Sequence, residues 1–317
     1  MSEDNRSTVP SVLIKLAHRL GTDVKNWRLD IPEQFGTGYC TGFVFNESIR
    51  LMIFNYELKH DLVIDNPDVD TWGGRVLFKF QNVIATPNTL SEGRESPSVL
   101  IVTSRINPNL LIPIQRRRAM INIEVEATYL KGLFSSTRKS PVLQSLLDNT
   151  QPLFFEEMIF PSLQILVDDL VNEAVDETFA LFFRRVKAEE LICRLLMALE
   201  RRDKQQLYAL NGQDIQTIYQ LKERMLERLD TPPVISELAQ SAHMSPTKLK
   251  RLFRQIFGNS IFSYYQALRI NEAARLLTAE KRSVSEVGHQ LGFTNLSHFS
   301  RVFTEHMGIK PKKFSAL

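Results

Sequence analysis

The carboxy-terminal part of the chain contains one short pattern twice, and this duplication constrains the fold more than any other feature of the sequence. The segment from Ser236 to Phe253, SELAQSAHMSPTKLKRLF, recurs as SEVGHQLGFTNLSHFSRVF from Ser285 to Phe303. Each copy contains Ser-Glu, an aliphatic residue, a small residue, a turn, a polar cap and a helical segment with Arg two residues before Phe. The repeat predicts two similar supersecondary units, and the order of their parts is that of a helix-turn-helix motif.

Both copies provide residues suited to starting the second helix of such a motif. Ser245 supplies a side-chain cap, and Pro246 fits the first helical position. Thr294 and Asn295 are the corresponding caps of the second copy. We therefore predict that the second helix of each motif, the recognition helix, begins directly after these residues.

Each predicted recognition helix has an apolar face and a polar face. The apolar residues fall at helical spacing and are expected to be buried: they are Leu249, Leu252, Phe253 and Ile256 in the first copy, and Phe299, Val302 and Phe303 in the second. The outward faces are suited to the major groove of DNA. Their candidate DNA-binding residues are Thr247, Lys248, Lys250, Arg251 and Arg254 in the first copy, and Leu296, Ser297, His298 and Arg301 in the second.

Further candidates are suited to phosphate contacts. They are the caps Ser245 and Asn295 and the lysines Lys310, Lys312 and Lys313. The three lysines are equally consistent with a solvated tail. Residues from Thr231 onward hold 12 Lys and Arg against 5 Asp and Glu, whereas the preceding residues hold 27 against 31. A basic end on a mildly acidic body is expected when only one domain meets phosphates.

The segment between the two copies, SIFSYYQALRINEAARLL, is typical of one long helix, and Ser260 is its candidate cap. A helix of about 18 residues is roughly 27 Å long. With its flanking turns it could hold two recognition helices near one duplex turn, about 34 Å apart. We therefore expect one chain to reach two successive grooves.

The stretch from Asp214 to Phe314 resembles the DNA-binding domain of the AraC/XylS transcription regulators. The resemblance lies in ELAQSAHMSPTKLKRLFRQIFG, ALRINEAARLL and GFTNLSHFSRVFTEHMGIKP, which occur in the expected order and cover about a third of the chain. It implies two helix-turn-helix units joined by a rigid helix that bind asymmetric promoter sites. It also implies a base-contacting face, made of Thr247, Lys250 and Arg251 in the first unit and Leu296, Ser297, His298 and Arg301 in the second.

The second copy departs from the family pattern at one place. The family usually has Ile-Ala where this chain has Val287-Gly288. Glycine inside a helix costs roughly 1 kcal/mol relative to alanine. We therefore expect the second motif to be the less rigid one.

The region from about Gly36 to Val125 is typical of strands. The segments GYCTGFVF, IRLMIFNYEL, GRVLFKFQNV, PSVLIVTSRI and AMINIEVEA are rich in β-branched and aromatic residues and are separated by turn formers. They predict an antiparallel barrel or sandwich, and the resemblance implies a cupin-like barrel that binds an effector. Arg116, Arg117 and Arg118 are consistent with a clamp for an anionic effector, although a solvated turn is favoured.

Residues from Phe160 to Arg202 switch to a helical period. One apolar stripe comprises Ala188, Leu191, Ile192, Leu195, Leu196 and Leu199. The stripe is consistent with packing on the strand domain and also with dimerisation, which the resemblance favours. The polar segment RRDKQQLYALNG that follows is predicted to be the linker.

Other features of the sequence argue against several classes of function. Cys40 and Cys193 are far apart in apolar surroundings, so both are expected to be buried free thiols. Only His60 lies in the strand-rich region, so neither a metal nor another cofactor is expected. The chain lacks GxGxxG, Walker, HExxH and GxSxG motifs, which argues against an enzyme. It also lacks a signal peptide and an apolar run of about 20 residues, so a cytoplasmic protein is expected.

Together these patterns predict an α+β multidomain protein. We expect a strand-rich effector-sensing domain at residues 1–150, a helical dimerisation or connector segment at 151–205, a linker at 206–213 and an all-helical DNA-binding domain at 214–317. The predicted function is transcription regulation, as an activator, by a homodimer that binds double-stranded promoter DNA and RNA polymerase at the nucleoid. The first domain is expected to respond to a small molecule or, alternatively, to a protein partner. The sequence identifies no effector-binding residue.

Overall fold

The computed structural model describes residues 8–60, 73–84, 97–104, 117–134, 140–159, 161–202, 207–208 and 210–316. These residues form two compact units, of which the first ends at Leu210 and the second begins at Asn211. In the part of the chain that the structure describes, the strands all belong to the first unit and the second unit is helical. The expected division into a strand-rich region and a helical carboxy-terminal region is confirmed.

Within the described residues, the first unit is built on one antiparallel sheet of seven strands. They are β1 (Arg28–Asp30), β2 (Gly36–Val44), β3 (Ile49–Leu58), β4 (Arg75–Gln81), β5 (Ser98–Thr103), β6 (Arg117–Glu126) and β7 (Phe154–Met158). Their order across the sheet is β1-β2-β3-β6-β4-β5-β7. Strands β2 to β6 coincide with the five segments predicted from the sequence, whereas β1 and β7 were not predicted. Strand β7 lies in the segment that was expected to be helical.

The cupin-like barrel is not confirmed. A barrel closes when its first and last strands pair. In the described residues the sheet is open, with the three-residue strand β1 at one edge and β7 at the other. Of the three consecutive arginines, Arg116 lies outside the described residues, and Arg117 and Arg118 belong to strand β6 rather than to a turn.

One face of the sheet carries a continuous apolar core. A single row across five neighbouring strands consists of Leu51, Ile123, Phe78, Ile101 and Phe155, all fully buried. Side chains alternate between the two faces of a strand, so these five lie on the same side. Five helices contribute further buried residues to the first unit: α1 (Ser11–Leu20), α2 (Ala127–Gly132), α3 (Pro141–Asp148), α4 (Pro161–Asn172) and α5 (Glu177–Glu200).

Helix α5 carries the apolar stripe that the sequence indicated. All six of its residues, from Ala188 to Leu199, are buried in the core of the first unit. Packing within the unit is therefore the interpretation that the structure confirms for this stripe. Cys40 is buried as expected, but the prediction for Cys193 was wrong because it lies on the exposed side of α5.

The second unit consists of helices joined by short turns. They are α6 (Gly212–Glu227), α7 (Ile235–Ser241), α8 (Pro246–Phe257), α9 (Ile261–Thr278), α10 (Val284–Gln290), α11 (Leu296–Met307) and α12 (Pro311–Phe314). The predicted motifs are α7–α8 and α10–α11, and the predicted long helix is α9, with 18 residues and the cap Ser260. The segment predicted as a linker falls partly outside the described residues, and its end forms the cap and first turn of α6.

Aromatic side chains form two clusters that include the recognition helices. In the first, the ring centroids of Phe253 and Phe257 lie 4.5 Å apart, and Phe257 lies 4.5 Å from Tyr264 of α9. The second cluster extends from Phe293 through Phe299 and Phe303 to Phe314, with neighbouring centroids 5.0, 5.8 and 5.4 Å apart. Because aromatic pairs contribute stabilisation beyond the area they bury, each recognition helix is fixed by its own cluster.

The turn of the second motif closely approaches the turn that follows α6, at Gly292. This residue has φ +74°, and a Cβ placed on it would overlap the backbone carbonyl of Asp230. Gly308 has a similar φ of +77°, but a Cβ there would meet no atom within 4 Å. A comparison of the two glycines therefore distinguishes the effect of backbone conformation from the effect of a close contact.

We predict that Gly292→Ala destabilises the protein more than Gly308→Ala. Gly308→Ala should cost about 1–2 kcal/mol, the penalty for an L-residue in the left-handed region. Gly292→Ala should cost at least about twice as much, because overpacking adds to the same penalty. Urea denaturation followed by the helical circular dichroism signal measures both changes. Equal losses would show that the contact with Asp230 is not tight.

Candidate DNA-binding surface

Both recognition helices begin at the predicted caps. The Ser245 hydroxyl accepts a hydrogen bond from the backbone N–H of Lys248 at 3.2 Å, and Pro246 occupies the first turn. The Asn295 side chain accepts hydrogen bonds from the backbone N–H groups of Ser297 and His298 at 2.9 and 3.1 Å. Such bonds satisfy N–H groups that a helix start leaves unpaired. The candidate phosphate contacts Ser245 and Asn295 thus define where α8 and α11 start.

Helix α10 begins with a capping box. Ser283 and Glu286 form a reciprocal capping box, in which each side chain bonds the backbone N–H of the other residue. Hydrogen bonds from the Ser283 hydroxyl and backbone N–H hold the pKa of Glu286 below its ordinary value. The first helix of the second motif is therefore locally well specified.

The two faces of α8 are those that its sequence predicted. Leu249, Leu252, Phe253 and Ile256 are buried. Thr247, Lys250, Arg251 and Arg254 are exposed. Lys248 differs from them, because it is only partly exposed and its ammonium lies 2.9 Å from a carboxylate oxygen of Asp214 on α6. This ion pair reduces the positive charge that Lys248 offers to a ligand.

Helix α11 also exposes the predicted side chains, but it is less cationic than α8. Phe299, Val302 and Phe303 are buried, whereas Ser297, His298 and Arg301 are exposed. The Arg301 guanidinium donates to a carboxylate oxygen of Glu305 at 2.7 Å. Both side chains of this pair remain more than half exposed, so solvent weakens the interaction and Arg301 can exchange partners.

Gly288 brings the two helices of the second motif together. It is buried, and a Cβ at this position would lie 2.7 Å from Cδ2 of Leu296 and 3.3 Å from Cδ1 of Phe299. Glycine in place of the alanine that is usual in the family therefore leaves space for the half-buried side chain of Leu296. Among the candidate DNA-binding residues, Leu296 is the one that packs beneath α10.

The three lysines near the end of the chain lie on an ordered helix. Lys310 precedes α12, and Lys312 and Lys313 belong to it; all three are exposed. Phe314 packs on Phe303 with the ring centroids 5.4 Å apart. The contact places these cations beside α11, so the solvated-tail alternative does not describe their backbone.

Arg269 is a positioning residue that the sequence reasoning missed. It is 4% exposed on α9, and its guanidinium donates through Nε, at 2.9 Å, and through Nη2 to the carbonyl of Leu291 in the turn of the second motif. The same group lies 3.7 Å from the ring centroid of Phe293. Burial lowers its pKa from the ordinary value, while Tyr265 and Asp230 oppose that change. The available signal was a charged residue on the otherwise apolar stripe of Tyr265, Ala273 and Leu276.

The described residues contain no group of three or more His, Cys, Asp or Glu that could hold a metal ion. In the same part of the chain, no helix is long and apolar enough to cross a membrane. The duplicated helical surface presents exposed cations and hydrogen-bond donors on two helices that begin at defined caps.

Comparisons with known proteins converge on the same region. A model of a helix-turn-helix domain matches residues 238–316. The Arabinose operon regulatory protein of Escherichia coli is 38% identical over 82 residues, which are 26% of this chain and 28% of that protein. The HTH-type transcriptional activator RhaR of Cronobacter sakazakii is 30% identical over 125 residues, 39% of this chain and 44% of that protein. The second unit carries an AraC-type helix-turn-helix domain.

The relatives are named as regulators of transcription rather than as enzymes, and the matched region is less than half of either of them. Among solved structures, the DNA-binding domain of AdpA in complex with a target DNA is 27% identical and covers 32% of this chain and 90% of that chain, with a TM-score of 0.30. A transcriptional regulator from Chromobacterium violaceum is 28% identical and covers 33% and 95%, with a TM-score of 0.32.

We predict that Arg269→Met weakens the AraC-type domain by about 2–3 kcal/mol, since it removes a charged donor and leaves the Leu291 carbonyl unsatisfied. Arg282→Met, directly after the same helix, is the matched control. Arg282 is exposed, and its ion pair with Glu280 is solvent-accessible on both sides, so its loss should cost less than about 1 kcal/mol. Urea denaturation distinguishes the two; similar losses would contradict the role of Arg269.

Proposed function

We propose that this protein is a sequence-specific DNA-binding regulator of transcription that places α8 and α11 in successive major grooves. The observation that carries the proposal is the pair of capped recognition helices, each with a buried aromatic face and an exposed polar face, on either side of α9. An 18-residue helix is about 27 Å long. This length suits two helices that must follow neighbouring grooves about 34 Å apart.

The exposed side chains have distinct roles in this proposal. Arg251 and Arg301 contact guanine edges or phosphates, because a guanidinium can donate two parallel hydrogen bonds to either. Thr247, Lys250, Arg254, Ser297 and His298 add base or backbone contacts. Lys310, Lys312 and Lys313 contact phosphates and so provide affinity without sequence preference. Lys248 contributes less than the other cations of α8, because Asp214 neutralises it.

We predict that Arg251→Ala and Arg301→Ala each weaken binding to a specific duplex by about 1–3 kcal/mol. The duplex is first selected from a random library with the full-length protein, and affinity is then measured by fluorescence anisotropy at fixed salt. Lys131→Ala is the matched control, because Lys131 is an exposed, ion-paired cation of the first unit. Unchanged affinity in both arginine variants would show that these faces do not read DNA.

The first unit, in this proposal, senses a signal and joins two copies of the chain. Helix α5 supports the second role, because it is apolar on two opposite sides. Its outer side exposes Phe179, Phe182, Val186, Cys193 and Met197. Phe182 is 70% exposed. Exposed apolar surfaces of this kind typically mark interaction sites.

The outer stripe of α5, residues 179, 182, 186, 193 and 197, is suited to a second copy of itself. Its members recur at spacings of three, four or seven residues, which is the pattern of helices that pack along their length. A two-fold contact brings the same surface of both copies together. Glu190 and Arg194 beside the stripe form an ion pair at 2.7 Å, so the surface carries both charges and self-association meets little repulsion.

We predict that Phe182→Glu converts a dimer into a monomer, because two carboxylates would be buried in one apolar contact. Sedimentation velocity of the full-length protein measures the change. Ile14→Glu is the control, since Ile14 is an exposed apolar residue of α1 at 44%. A wild-type monomer, or a Phe182→Glu dimer, would contradict the assignment of this stripe.

Regulation in this proposal is a shift of an equilibrium. A signal bound by the first unit changes which half-sites the DNA-binding domains of a dimer can occupy together. Activation through RNA polymerase, in the cytoplasm at the nucleoid, is the outcome we propose. Control by a protein partner in place of a small molecule is the alternative.

A further inference from the structure

The second face of the sheet is also buried, and it carries polar side chains among apolar ones. The row next to the apolar one contains Asn122 of β6, Lys79 of β4, Leu100 of β5 and Glu156 of β7, paired in that order across neighbouring strands. These residues are between 1% and 7% exposed. Since side chains alternate along a strand, they lie opposite Ile123, Phe78, Ile101 and Phe155. The second face thus differs from the first in carrying an ammonium, an amide and a carboxylate between its apolar residues.

One residue of this row is costly for a structure that serves only stability. A buried amide or hydroxyl without a hydrogen bond destabilises a protein by about 1–3 kcal/mol. Asn122 is 3% exposed, and its side-chain oxygen has no hydrogen-bond partner in the structure. This oxygen is an acceptor that lacks a donor. A bound molecule with a hydroxyl or amino group would supply the donor.

The surroundings of Asn122 and Lys79 are apolar. Leu77 and Met120 lie two residues from Lys79 and Asn122 on the same face, and both are buried at no more than 9% exposure. Neither they nor Leu100 belong to the main hydrophobic cluster of the described residues. Methionine and leucine walls with a few placed polar groups are the usual composition of small-molecule sites.

We propose that this face of the sheet binds a small organic acid that also carries a hydroxyl or amino group. The ammonium of Lys79 has three donors and would bind the carboxylate, and Asn122 Oδ1 would accept a hydrogen bond from the hydroxyl or amino group. Neighbouring strands are about 4.8 Å apart, so a molecule of a few carbons reaches both residues. The inference rests on the sensing role proposed above and gives it a location and a ligand chemistry.

At Asn122, a substitution that stabilises the unliganded protein is expected to abolish ligand binding. An unpaired buried acceptor destabilises the unliganded protein, and its replacement by an apolar residue of similar size removes that cost. Asn122→Leu should therefore raise the midpoint of thermal unfolding of the unliganded protein. The same variant should lose the response to the ligand. Opposed effects of this kind are typical of binding sites, where function is favoured over stability.

The test uses thermal unfolding of the full-length protein with millimolar L-serine, L-lactate, L-malate and D-gluconate in turn. At least one acid should raise the wild-type midpoint by roughly 2–8 °C, because a ligand that binds only the folded state stabilises it. Lys79→Met and Asn122→Leu should abolish that rise, and Lys131→Ala should retain it. Lys79→Met tests the contact with the carboxylate of the ligand, and Asn122→Leu tests the contact with its hydroxyl or amino group.

Three outcomes would overturn the proposal: no acid shifts the wild type, the shift persists in both variants, or Asn122→Leu lowers the unliganded midpoint. Anisotropy measurements with the selected duplex are made on the same wild-type preparation without acid. A protein that binds the duplex and no acid overturns the ligand site alone. A protein that binds an acid at this row and no duplex leaves the site standing and overturns the DNA-binding function.

Discussion

The bond between the Arg269 guanidinium and the carbonyl of Leu291 is the interaction on which the DNA-binding geometry depends. It fixes the turn of the second motif on α9, and Phe293 covers the same guanidinium at 3.7 Å. The first motif contacts α9 through aromatic side chains, and the ring centroids of Phe257 and Tyr264 lie 4.5 Å apart. Both recognition helices are therefore anchored to α9. Their separation follows from the length of this helix rather than from flexible loops.

The two motifs are duplicated in sequence but differ in physical character. In the turn of the first motif, His243 lies in the left-handed region at φ 51°. Gly292 occupies the equivalent position in the second motif. Helix α8 exposes Lys250, Arg251 and Arg254, whereas α11 exposes Arg301 beside Glu305 together with Ser297 and His298. Non-specific attraction to phosphates increases with the number of cations. The first motif is thus suited to affinity, and the second to discrimination through hydrogen bonds.

In the first unit, helix α5 and the sheet each have two faces with different roles. Helix α5 buries one apolar stripe in the core and exposes another, which we assign to a second copy. The sheet buries an apolar row on one face and the row of Asn122, Lys79 and Glu156 on the other. Ligand and partner contacts are therefore assigned to surfaces that the hydrophobic core does not need, so either can change without rearranging the core.

The sequence by itself determined the elements whose causes are local. Caps such as Ser245, Asn295 and Ser260 act within three residues, and the periodicity of α8, α9, α11 and strands β2 to β6 is a property of each segment. The tertiary structure alone decided which contacts join distant segments. The pairing of Arg269 with Leu291, the burial of one α5 stripe rather than the other, the exposure of Cys193, and the addition of β7 to an open sheet all depend on what packs against each residue. Periodicity shows that a face is apolar or that a strand can pair, but only the packed chain selects the partner.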